Sequence, residues 1–134
     1  MAKFRRILVA VDGSATSMKA MREAVELACE SGSVLRVLYV FGPREHMPGP
    51  GPGQILDDAL AMAEADGVEA SSRLVEFPGQ SLGEVVADEA RHWNADLIVV
   101  GTHGRKGITR AVLGSGAEQI IRLAPVAVLV VRGH

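Results

Sequence analysis

Five strand-like runs, at residues 7–11, 34–41, 68–77, 97–100 and 126–131, alternate along this chain with four stretches of helical periodicity. Helices placed between successive strands force parallel pairing, because each connection must carry the chain back along the sheet, and such crossovers are right-handed. The expected fold class is therefore α/β: an open, doubly wound, five-stranded parallel sheet, Rossmann-like, with helices on both faces. Ligands in such sheets bind at the carboxyl ends of the strands, where the winding direction reverses. With 134 residues, the chain has the size of one domain and can bury a core without staples, so a single domain over 1–134 is expected.

The local signals agree with that order. Ile-Leu-Val-Ala-Val at 7–11 stops at Asp12-Gly13-Ser14, where turn formers and caps cluster. From Met18, apolar positions 18, 21, 25 and 28 recur at helical spacing until Ser31-Gly32-Ser33. A second strand at 34–41 is interrupted only by Arg36. Residues 42–53, rich in Pro-Gly pairs, read as a surface loop, either a lid or a variable excursion, since proline lacks an N–H and glycine is costly to order. A helix at 54–66 follows, with Ile55, Leu56, Ala59, Leu60 and Ala63 inward. The mixed polarity of 68–77 suggests a sheet edge. Ser81 and Glu84 form a capping-box pattern ahead of a helix that runs to Trp93, with Leu82, Val85, Val86 and Trp93 on its buried side. His92 and Trp93 are read as packing at a helix end. The fourth helix spans 115–123, with Ile120 and Ile121 on its apolar side, and Ala124-Pro125 ends it.

The stretch between the fourth strand and the fourth helix carries the chemistry. Leu-Ile-Val-Val at 97–100 reads as a strand buried on both faces, and glycines follow at 101, 104, 107 and 114. Glycine lets backbone N–H groups turn inward and approach a phosphate. Ser115 then opens a helix whose N-terminal end attracts anions. Two familiar phosphate motifs do not fit: Lys106 is followed by Gly107 where a Walker A loop needs Ser or Thr, and Gln119 stands where a dinucleotide fingerprint needs its third glycine. Two readings of the glycines stand, an anion cradle or a tight strand-to-helix connection; four in fourteen residues exceed what one turn requires. Asp12 likewise has two readings, an acceptor for a ribose hydroxyl or base amino group, or a turn and cap residue. Val40, ending the second strand, would offer its backbone to an adenine edge. Arg105 and Lys106 either neutralise phosphate charge or are solvated surface residues.

Composition narrows the partners. Hydrophobic residues make up 48% of the chain, charged residues 22%, and the formal net charge is −2, so nothing draws it to nucleic acid or acidic membranes. The longest apolar run, 123–131, is too short to cross a bilayer, and the apolar stretch after the charged first residues is too short for a signal peptide. The single cysteine, Cys29, suits a reducing cytoplasm and reads as a small apolar residue packed on a helix face. His103 lacks an orienting partner in the sequence, and the four histidines and one cysteine show no zinc-ligand spacing.

Ile-Leu-Val-Ala-Val-Asp-Gly-Ser at 7–14, Asp-Leu-Ile-Val-Val-Gly-Thr-His-Gly-Arg at 96–105 and Leu-Gly-Ser at 113–115 resemble the universal stress protein family, nearly end to end. Gly101, Gly104, Gly114 and Ser115 match the spacing of its nucleotide-binding branch: Gly, two residues, Gly, nine residues, Gly, then Ser or Thr. The resemblance implies the strand order 3-2-1-4-5 and a homodimer joined through the last strand. It also implies ATP as ligand, with Asp12 and the Val40 backbone near the nucleoside and Gly101, Gly104, Arg105, Gly114 and Ser115 around the phosphates. Magnesium would accompany the phosphates, with no residue assigned to it. This sequence departs from the family's pattern at Gly116, where a bulkier apolar residue is common and the helix start is loosened, and at Ala127, which replaces a frequent proline near the dimer edge.

The function expected is a cytoplasmic ATP-binding stress-response or regulatory module with slow or no turnover. The alternatives are a slow ATP hydrolase or nucleotide transferase, for which no catalytic base or metal pair is evident, and a nucleotide-free dimer acting through partner surfaces.

Overall fold

The structure, a computed structural model, describes residues 4–41, 51–76, 81–102 and 115–132. Five strands, β1 (Arg6–Val11), β2 (Val34–Phe41), β3 (Ala70–Glu76), β4 (Leu97–Gly101) and β5 (Ala127–Val131), form one parallel sheet in the order β3-β2-β1-β4-β5. Four helices alternate with them: α1 (Ala15–Ser31), α2 (Pro52–Ala65), α3 (Leu82–Trp93) and α4 (Ser115–Leu123).

The sheet is buried on both faces at its centre, which is why its central strands read as unbroken apolar runs. Ile7, Val9, Val37 and Val99 pack with α1 and α2, while Leu8, Leu38, Ile98 and Val100 pack with α3 and α4. The first two connections lie on one face and the last two on the other, so the winding reverses between β1 and β4. At the amino edge of that pair, the Asp96 carboxylate accepts the backbone N–H groups of Arg5 and Arg6 at 2.8 and 3.1 Å. It ties the start of β1 to β4, far from the carboxyl edge.

Local chemistry sets the helix boundaries. The Ser14 hydroxyl accepts the N–H of Ser17 at 3.1 Å, and α1 therefore begins one turn before the apolar periodicity that starts at Met18. The Pro-Gly stretch does not exclude helix over its whole length, because Pro52 and Gly53 open α2. Proline at the first helical position loses an N–H that has no partner there anyway. The rest of that stretch, 42–50, lies outside the described residues. β3 is an edge strand, as its polarity implied, though it begins at Ala70 rather than 68. The capping box of α3 is complete, with the Ser81 hydroxyl on the Glu84 N–H and the Glu84 carboxylate on the Ser81 N–H.

Two packing expectations are corrected. Ile121 is 42% exposed, unlike Ile120, because α4 is a narrow amphipathic helix that presents only one side to the sheet. Cys29 is exposed rather than packed; it follows the buried Ala28, about 100° further round the helix.

An ion cluster fastens α3 to the sheet. Buried Glu89 receives Arg36 of β2 and Arg73 of β3, each at 3.0 Å. The Arg36 guanidinium lies 5.2 Å from the Trp93 ring centre, that of Arg6 4.4 Å away, and the Arg6 Nε–H donates to the Trp93 carbonyl. Trp93 is indeed a packing residue. Glu89 is 7% exposed, Arg36 26% and Arg73 56%, so the two arginines do not count equally.

We expect Arg36→Ala to lower the unfolding free energy by about 2 kcal/mol, below the ~3–5 of a fully dry pair. Arg73→Ala should cost at most about 1 kcal/mol, since its side chain is mostly solvated. Urea titration of both variants measures the difference, and equal losses would contradict the assignment of Arg36 as the principal partner. The Ser81 contacts hold the Glu84 carboxyl below its ordinary value of 4.5. A carboxylate with a depressed folded value stabilises above its unfolded value and loses that contribution as pH falls through the folded one. Glu84→Gln should therefore be less stable than the wild type at neutral pH, with the gap closing in acid; a pH-independent gap in melting temperature would refute this.

Candidate functional site

The reversal between β1 and β4 sets Asp12, Val40 and Gly101 at one edge. The register Val11↔Tyr39 sets Asp12 beside Val40 one step further on. Carrying Val9↔Val99 forward by two residues sets Val11 beside Gly101. Asp12, Val40 and Gly101 thus leave three adjacent strands at the same edge, and α1 and α4 both begin there.

Asp12 heads a braced turn. One carboxylate oxygen accepts the Ser14 N–H at 2.9 Å, its own N–H donates to the Ser17 hydroxyl at 3.2 Å, and its carbonyl accepts the Tyr39 hydroxyl at 3.4 Å. The turn reading of Asp12 is therefore correct, and the same bonds fix its carboxyl group at the strand end. Gly13, with φ at 85°, occupies the left-handed region that other residues avoid.

Gly101 answers to packing as well as to any ligand. A Cβ there would lie 2.7 Å from Cγ2 of Thr16 and 3.1 Å from its carbonyl oxygen, too close for the first turn of α1 to remain in place. The glycine lets that turn sit against the end of β4, which brings the partial positive charge of its N-terminus to the reversal point. No acidic residue lies in that first turn to oppose an anion.

Of the remaining predicted residues, Gly104, Arg105 and Gly114 lie outside the described residues, as do His103 and Lys106. Ser115 is the first residue of α4. Gly116 lies within α4, where a Cβ would meet Cδ2 of Leu82. Three residues of this edge were not singled out from sequence: Thr16, Ser17 and Tyr39. The first two belong to the Ser-Ala-Thr-Ser run after Asp-Gly, a readable signal for a capped helix start, whereas nothing in the sequence marks Tyr39 as a brace for Asp12. Among the described residues, no group of three or more His, Cys, Asp or Glu side chains is placed to hold a metal ion. No helix among them is long and apolar enough to cross a membrane.

The arrangement offers hydrogen-bonding backbone at the ends of β1 and β2 and two helix N-termini beside them, the parts a nucleotide requires of an open parallel sheet. Comparison with known proteins agrees with this geometry. The chain is 32% identical to a universal stress protein of Methanocaldococcus jannaschii over 96% of this chain and 82% of that protein. A universal stress protein solved in complex with cAMP superimposes with a TM-score of 0.76 at 27% identity, covering 98% of both chains. A universal stress protein family member from Burkholderia pseudomallei gives 0.73 at 34% identity over 93% of both. The pattern of the universal stress protein family itself matches residues 3–132. With that match over residues 3–132 and the strand order β3-β2-β1-β4-β5, the chain belongs to the universal stress protein family.

Proposed function

We propose that this protein is a cytoplasmic stress-response module that binds ATP and turns it over slowly or not at all. The observation that carries the reading is the convergence of Asp12, Val40, Gly101 and the start of α4 on the carboxyl edge at the winding reversal. In this reading Asp12 and the Val40 backbone meet the nucleoside. Gly101, Gly104, Arg105, Gly114 and Ser115 surround the phosphates, with backbone N–H groups as donors. The similarity to a protein solved with cAMP supports an adenine nucleotide as the ligand class. Magnesium would arrive with the phosphates and be held chiefly by them.

We also propose a homodimer joined through β5. This edge strand, Ala-Val-Leu-Val-Val, carries none of the charges or prolines that keep sheet edges from pairing. Leu129 on it is 38% exposed, an apolar side chain at the edge available to a second copy.

Denaturing the purified protein should release near-stoichiometric ATP, identified by chromatography and mass. Gly114→Val should weaken added ATP by at least about tenfold, because a branched side chain closes the backbone's approach to phosphate. A protein that carries no nucleotide and ignores added ATP would refute the assignment. Light scattering behind size exclusion should give twice the chain mass for the wild type and the chain mass for Leu129→Lys; a monomeric wild type would refute the β5 dimer.

A further inference from the structure

The first turns of α3 and α4 meet through a reciprocal pair of glycines. A Cβ on Gly83 would lie 2.7 Å from both the Cβ and the carbonyl oxygen of Gln119, and a Cβ on Gly116 would lie 2.7 Å from Cδ2 of Leu82. Helix separation follows the size of the side chains at the contact, so these glycines allow an unusually close approach. At the contact, Gln119 Oε1 accepts the Gly83 backbone N–H at 3.2 Å. Gly83 is the second residue of α3, so this N–H is one of the donors that the helix itself leaves unsatisfied. The Ser81 hydroxyl serves the next one, on Glu84. Gln119 thus acts as a cap supplied from another helix, and in doing so ties α4 to α3 one turn after α4 begins.

Both helices leave the carboxyl edge of the sheet, so they run parallel with their positive ends together. Like dipole ends repel, and the Gln119 bond with the glycine contact holds them in place against that repulsion. The start of α4 is the element assigned to the phosphates, whereas Asp12 and Val40 hang from β1 and β2.

We infer that Gln119 is a positioning residue for the phosphate end of the site, acting through Gly83 to set where the first turn of α4 stands. This rests on the nucleotide-binding reading above. Hydrogen bonds from a helix start to an anion weaken steeply with distance and angle, so a small displacement of α4 should be felt by phosphates and not by the nucleoside.

Gln119→Met keeps the length of the side chain and removes the acceptor; Gly83→Ala drives a methyl group against the Gln119 backbone from the opposite helix. Calorimetric titration of wild type and variants with ATP and with adenosine, alongside their melting temperatures, separates positioning from general stability. Each variant should weaken ATP by about five- to tenfold and leave adenosine within about twofold. Parallel weakening of both ligands, or no change in either, would overturn the role of Gln119 while nucleotide binding stood. A wild type that bound neither ligand would overturn both. Should Gly83→Ala fail to fold, Gln119→Met alone decides.

Discussion

The pairing of β1 with β4 is the contact on which this molecule depends. It joins two strands that are distant in sequence, and it is where the chain stops winding one way and starts winding the other. Asp96 secures its amino edge by accepting two backbone N–H groups of Arg5 and Arg6. At the carboxyl edge, Gly101 lets the first turn of α1 come within van der Waals contact of the strand. A shift of β1 against β4 would separate Asp12 from Gly101 and dismantle the only edge at which α1 and α4 both begin.

The ion and ring contacts gather at the amino end of the sheet, opposite the edge proposed for the nucleotide. The amino end carries the Asp96 bonds and the two guanidinium groups over Trp93, groups committed to holding secondary structure together. The carboxyl end carries short polar side chains, glycine and the starts of the helices. Asp12 belongs to both worlds, since its carboxylate shapes the turn through Ser14 and also stands at the proposed nucleoside end. Such sharing is economical in a small domain, because a residue already fixed by the fold loses little further freedom on meeting a ligand.

Much of this was legible in the sequence for identifiable physical reasons. Strands buried on both faces must be largely apolar, so the runs at 7–11 and 97–100, and 34–41 with its single Arg36, read as strands. Ser81 and Glu84 specified a helix start because a capping box needs those side chains three residues apart. The misreadings came where local rules compete. Pro52 reads as loop because proline breaks helices, yet at a first helical position it breaks nothing. Ile121 and Cys29 read as interior residues on hydrophobicity, but one helix face is narrower than the apolar residues available to fill it.

By itself, the sequence determined the element order, the parallel sheet and the family, because strand and helix periods, caps and glycine spacing are local patterns written over a few residues. Only the tertiary structure decided what those residues do to one another. That Gly101 answers to Thr16, that Tyr39 braces Asp12 and that Gln119 caps a helix other than its own are contacts across 85, 27 and 36 positions of chain. No period or spacing encodes them; they exist because the sheet brings separate segments within hydrogen-bonding and van der Waals reach.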